Sequence, residues 1–177
     1  EYSKTYVKAV RTHADILDGL RNGRVFVTTG DLISELDVTA QSGSARAEIG
    51  GVLPVAKDGS VTLTLRLRDP AAPNAAGRTP EVARIDLIVG EVTGPAADRE
   101  SAANPTPRVE TRLGPAQWRR DGEVITATYV LEGLARDSYV RVRGTNGAED
   151  EDETEDESEE EDDDEDERLA ALKALQA

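Results

Sequence analysis

His13 is the single imidazole in a chain of 177 residues that contains no Cys. A zinc centre draws three or four donors from His, Cys and carboxylates, and His13 has no His or Cys companion here. The lack of Cys also excludes a disulfide framework, a thiolate metal site and a cysteine nucleophile. No G-x-S-x-G elbow, P-loop or G-x-G-x-x-G turn is present, so the motifs of hydrolase and nucleotide chemistry are missing as well. Residues 149–167 hold 17 Asp and Glu interrupted only by Thr154 and Ser158. Calcium loops set their ligands at fixed offsets around a Gly turn, and no D-x-D-x-D-G spacing occurs in the run. It reads as a solvated spacer whose carboxylates are open to cations or to a basic partner. Paired carboxylates for glycoside hydrolysis cannot be singled out among so many acids. Trp118 precedes Arg119-Arg120, a pattern with two readings. The indole stacks on a ligand while the arginines hold its anion, or it packs over a sheet edge before a hairpin turn at Asp121-Gly122.

The net charge of −15 is a property of the C-terminal end. The acidic run takes 17 of the 36 acids, leaving 19, while Arg168 and Lys173 follow it, leaving 19 of the 21 bases before residue 149. A formally neutral body therefore carries an acidic tail. With no excess of bases and only six aromatic residues, the chain lacks the basic face and the stacking platform of a nucleic-acid binder. No apolar stretch approaches the ~20 residues of a membrane span, and no signal-peptide pattern opens the chain. Nucleic acid and membrane are therefore not expected as partners. Arg outnumbers Lys 17 to 4, a bias that points to a GC-rich genome. Residue 1 is Glu, which points to a processed or excised chain.

These residues need elements to hold them. Thr12 can cap a helix whose third position is Asp15, with Ile16, Leu17 and Leu20 on one face and Asn22-Gly23 as its stop. The β-rich run Arg24–Thr28 follows at once and ends in the turn Thr29-Gly30-Asp31. This reads as the second half of an α/β unit, with nothing upstream to supply partner strands. From residue 32 onward the period changes to two. Strands are expected around Leu36–Ala40, Val61–Leu67, Ile85–Val89 with Arg84 and Asp86 on the outer face, 123–131 as a central strand, and 139–143. Weaker strands near 46–50 and 108–113 bring the number to about seven, the count of an immunoglobulin-like antiparallel β-sandwich of about a hundred residues. Residues 69–80 and 94–107, rich in Pro, Gly, Asn and Ala, read as long surface loops. Residues 147–167 cannot collapse, because neighbouring carboxylates repel and no apolar surface offsets them. Leu169, Leu172 and Leu175 then recur on one face of a short amphipathic helix.

The start Glu1-Tyr2-Ser3-Lys4-Thr5-Tyr6-Val7, followed by Ile16-Leu17-Asp18-Gly19-Leu20-Arg21-Asn22-Gly23-Arg24-Val25-Phe26-Val27-Thr28-Thr29-Gly30-Asp31-Leu32-Ile33, resembles the end of the catalytic region in PHP-superfamily (polymerase and histidinol phosphatase-like) metal-dependent phosphoesterases. Tyr139-Val140-Arg141-Val142-Arg143-Gly144-Thr145-Asn146 resembles the close of the β-rich C-terminal extension in that family. The resemblance implies a distorted (β/α) barrel upstream as this chain's partner, hydrolysis of phosphate esters, and divalent metal ions as cofactors of the full-length protein. The family's metals are held mainly by His, Asp and Glu from motifs before this stretch, and no ligand position maps onto a residue here. Catalytic and metal-ligating residues are therefore expected to be none, and the isolated chain inactive. Thr28, Thr29 and Asp31, at the C-terminal end of what resembles a late barrel strand, are the substrate-proximal candidates; a plain turn bonding its own backbone is the other reading. Family members continue into a Trp- and Pro-containing end where this chain turns acidic, which implies a sandwich lacking its closing strand.

The expected organisation is a helix–strand barrel remnant at 1–35, a β-sandwich at 36–146, a disordered acidic tail at 147–167 and a short helix at 168–177. The expected function is that of an accessory region of a phosphoesterase. The alternative is a non-enzymatic β-sandwich binding module whose acidic tail meets cations or a basic partner.

Overall fold

Alternation in Val61-Thr62-Leu63-Thr64-Leu65-Arg66-Leu67-Arg68 puts four branched apolar side chains on one face of a strand, and all four are buried. The computed structural model describes residues 2–95, 100 and 105–147. The chain divides into two units, Glu1–Asn146 and Gly147–Ala177, and every element below belongs to the first. Expectations for the acidic run and for the short helix at 168–177 lie outside the described residues.

The chain is mainly β. Strands β1 (Ser3–Val7) and β2 (Val25–Thr29) flank helix α1 (His13–Arg21) and pair antiparallel. Strands β3 (Glu35–Ser42), β4 (Ala45–Glu48), β5 (Val61–Arg68), β8 (Trp118–Asp121) and β9 (Val124–Leu131) make a five-stranded sheet ordered β4-β3-β5-β9-β8. Strands β6 (Arg84–Glu91), β7 (Arg108–Leu113) and β10 (Ser138–Thr145) make a second sheet ordered β10-β6-β7. Every pairing in both sheets is antiparallel.

Register lines up the apolar faces. Leu36, Val38 and Ala40 of β3 stand opposite Leu67, Leu65 and Leu63 of β5, whose other neighbours in β9 include Ile125 and Ala127. Ile85, Leu87 and Val89 of β6 join these residues in a single apolar cluster, so the two sheets share one core. Each fully buried Leu, Ile or Val contributes about 1.5–3 kcal/mol by leaving water, and a one-residue slip would turn the whole set outward.

Helix α1 begins where the Thr12 hydroxyl accepts the Asp15 N–H at 3.2 Å. It ends before Gly23, whose φ of +67° is a left-handed stop. Gly19 lets the helix lie close on β1, since a Cβ there would come within 2.7 Å of a Val7 methyl.

Two expectations need correction, and two others are met. β2 does have an upstream partner, β1, whose Ser-Lys-Thr-Tyr-Val sequence pairs residue for residue with it. Trp118–Asp121 is edge strand β8, joined to β9 by a hairpin turn at Gly122-Glu123, one residue on from the expected turn. β9 is an interior strand, between β5 and β8, but its outer face is not covered, for Val130 is exposed. Finally, Arg84 and Asp86 are buried, not solvated.

Candidate functional site

The chain reverses directly after β2 through Gly30 and Asp31, both left-handed at φ of +61° and +57°. Asp is one of the few side-chain-bearing residues that adopts this conformation readily. The reversal brings Thr28, Thr29 and Asp31 to one end of the β1–β2 pair, where each engages a different partner. Thr28 is buried and its hydroxyl accepts the Ile33 N–H at 3.2 Å. Thr29 shares a hydrogen bond with Ser3 at 2.9 Å. Asp31 takes an ion pair from Lys4 at 2.6 Å and a hydrogen bond from the Tyr2 hydroxyl. Asn74 reaches in from the 69–80 loop and donates its amide to the Gly30 carbonyl at 2.7 Å.

These contacts set the electrostatics of the turn. The hydrogen bond from Lys4, then that from Tyr2, hold the Asp31 carboxyl below its ordinary value, while the same pairing raises Lys4. An ionised carboxylate already bonded to an ammonium and a phenol is a poor proton acceptor. Elsewhere, His13 is the first residue of α1 and points into solvent. Trp118 is half-buried against the shared core. Among the described residues no three His, Cys, Asp or Glu side chains gather as a metal-holding group.

Two features were not visible in the sequence. The first is a charged cluster on the outer side of β6. Asp86 is fully buried and accepts Arg84 Nε at 2.9 Å and Arg143 Nη2 at 2.7 Å, with Arg112 Nε at 4.0 Å. Cross-strand register builds it, because Arg143 of β10 and Arg112 of β7 both stand opposite Asp86. The only sequence signal was an Arg-x-Asp step beside an Arg-x-Arg step, which alternation alone assigns to a solvated face.

The second is a groove of about 2030 Å³. One wall carries Leu36, Val38 and Ala40 of β3 with Leu53 and Val55, and the other carries Val140 and Val142 of β10; Phe26, Thr28 and Gly30 border it. Small-molecule pockets run to about 300–1,000 Å³ and enclose their ligand. This depression is larger, and its lining reaches core residues such as Leu63, Ile85 and Leu131. It gathers Thr28, Thr29 and the 138–146 segment into one depression, but not Asp31 or His13.

Comparison with protein-family models, with curated proteins and with solved structures returned no match to this chain.

Proposed function

We propose that these residues form the non-catalytic C-terminal region of a PHP-like metal-dependent phosphoesterase, in which an immunoglobulin-like sandwich follows the last piece of a barrel. The observation that carries the reading is an apolar surface beside the resembling sequence. Ile16, Leu20 and Val27 are 40, 47 and 60 % exposed, on a helix and strand pair in which only Gly19 and Thr28 are buried. Such a surface fits burial against a preceding domain. A (β/α) barrel is built of parallel strands, whereas β1 and β2 run antiparallel; on this reading α1 and β2 belong to the barrel and β1 is added along its border.

The sandwich part of the proposal rests on strand order. In an immunoglobulin-like fold one sheet runs A-B-E-D and the other is built around C and F. The order β3-β5-β9-β8 matches A-B-E-D, with β4 as an added hairpin arm, and β10-β6-β7 matches F-C-C′. The strand that follows F, called G, has no counterpart among the described residues.

Divalent metals and phosphate-ester hydrolysis belong to the full-length protein in this proposal. Thr28, Thr29 and Asp31 border the mouth of its site without reacting. Sequencing the reading frame upstream of Glu1 tests it. A barrel with His-x-His and Asp-x-His motifs is the expected result, and a start codon or a signal peptide directly before Glu1 rejects it.

The groove favours a second reading, a binding module without an enzyme partner. Deleting residues 147–177 separates its versions, since loss of a pull-down partner would assign binding to the acidic end and survival would assign it to the sheets.

A further inference from the structure

We propose that the N-terminal hairpin, β1–α1–β2, is a hinged flap beside the groove, pinned at its pivot by the 69–80 loop and latched at its far end by an exposed ion pair. The inference rests on contacts between the hairpin and the sheets, not on the phosphoesterase resemblance, so the two can fail separately.

The hairpin holds itself together. Tyr6 and Phe26 face each other across β1 and β2 with their rings stacked at 4.6 Å, and Gly19 lets α1 lie close on β1. Its hold on the sheets is of another kind. Among the described residues, the apolar core that the sheets share begins at Leu32 and Ile33 and takes in none from the hairpin. Polar groups do the fastening.

The pivot is the reversal Gly30-Asp31, directly before those first core residues. A hinge needs a few residues that absorb a change of φ and ψ, and Gly30 has no Cβ to restrict it. The 69–80 loop reaches this point as a strut. Its feet are tied to the sheets, for buried Asp69 accepts the Val82 N–H at 3.2 Å and the Ala71 N–H donates to Glu123 at 2.9 Å. Its tip is a closed turn, in which Asn74 Oδ1 accepts the Ala76 and Arg78 N–H groups, each at 3.0 Å. Asn74 Nδ2 is then aimed at the Gly30 carbonyl, to which it donates at 2.7 Å, and the Ala75 N–H lies 3.5 Å from the Tyr2 hydroxyl.

The latch lies at the opposite end of the strand pair. Lys8, just past β1, meets Glu48 of β4 at 2.6 Å, with the two side chains 54 and 52 % exposed. Beside it the backbone at Gly50, with φ of +77°, lies against Asn22 and Arg24 and leaves no room for a Cβ. An exposed ion pair is weak and screened by salt, so the far end is the first to let go. Its release widens the groove, because Val25 and Phe26 line one side of it and Leu53, Val55 and Val142 line others.

The test uses the full 177-residue chain, which has no Cys. Spin labels therefore go only to thiols introduced by Arg11→Cys, before α1, and Thr62→Cys, on β5, both at exposed positions. Pulsed electron resonance should give one narrow distance at low salt. Lys8→Glu should add a second distance, with the circular dichroism spectrum unchanged, and the charge swap of Lys8→Glu with Glu48→Lys should remove it again. Asn74→Asp keeps Oδ1 and the turn but loses the donor to Gly30. Added to Lys8→Glu, it should raise the open population roughly three- to tenfold further. Gly50→Ala wedges the latch without changing a charge, and it should act as Lys8→Glu does if that variant perturbs β4. Three results would overturn the proposal: a broad distribution in the otherwise unaltered chain at low salt, a distribution in the Lys8→Glu, Asn74→Asp chain as narrow as without them, or a charge swap that restores nothing.

Discussion

Asp86 sits on the side of β6 that alternation assigns to solvent, yet it is fully buried among Arg84, Arg112 and Arg143. Three guanidiniums around one carboxylate mean that the carboxylate holds three strands of one sheet in register. Removing one member of a buried ion pair costs about 3–5 kcal/mol, whereas replacing the group by well-packed apolar residues is often close to neutral. Asp86→Ala should therefore lower the unfolding free energy read from urea titration by an amount in that range, and Arg84→Met with Asp86→Leu should recover most of it. Surface carboxylates respond to acid instead. Asp31 is held low by Lys4, Asp18 by Arg24, Glu48 by Lys8, and Glu123 by the Ala71 N–H and Arg68. A carboxyl whose folded pKa is depressed contributes stability above its unfolded value, and that contribution disappears as the pH falls through the folded value. The urea midpoint should therefore drop once the pH passes below about 4, the unfolded carboxylate range. The drop should shrink at high salt, since none of the four carboxylates is buried. A midpoint unchanged between pH 5 and pH 2.5 would contradict these pairings.

Elements were legible where one residue pattern decided them. The Val-Leu-Leu-Leu face of β5 could be read directly, and so could the Thr12 cap and Asn22-Gly23 stop of α1, because period and capping are local chemistry. β1 was not, since its partner β2 lies beyond the whole of α1, and β8 was not, since Trp118-Arg119-Arg120-Asp121 is too polar to announce a strand although it meets β9 across a two-residue turn. Nor was the burial of Arg84 and Asp86, which needs Arg112 and Arg143 delivered by two other strands. The groove is the least legible feature of all. Its walls come from β3, the 53–55 stretch and β10, and no window of sequence contains all three. Thr28, Thr29 and Asp31 were found as a turn, but Tyr2, Lys4 and Asn74, which occupy two of its groups, come from elsewhere in the chain. Gly90 gives a test at this scale. It pairs with Tyr139, and a Cβ at Gly90 would run into the phenol ring. Gly90→Val should cost about 1–3 kcal/mol of overpacking, with exchange at residues 138–145 accelerated more than in β5. Equal protection of β10 in the variant would show that the ring does not lock this edge.

For the molecule as a whole, the charge and the apolar surface lie in different places. The body before residue 149 is balanced, and the excess acid lies beyond it. The exposed Ile16, Leu20 and Val27 belong to α1 and β2. If they are the seat of a preceding domain, the chain should enhance the fluorescence of an apolar-surface dye, and Ile16→Lys with Leu20→Lys should reduce that signal without lowering the urea midpoint. A chain that leaves the dye dark has no such surface, and the helix would then belong to a self-contained module.

Under the function proposed above, these 177 residues accompany phosphoester chemistry and do not perform it. The direct test incubates the purified chain with zinc, manganese or iron, and with a chromogenic phosphodiester. The expected result is hydrolysis no faster than the metal alone, with no metal retained through gel filtration. Retained metal together with turnover that a chelator abolishes would contradict the claim.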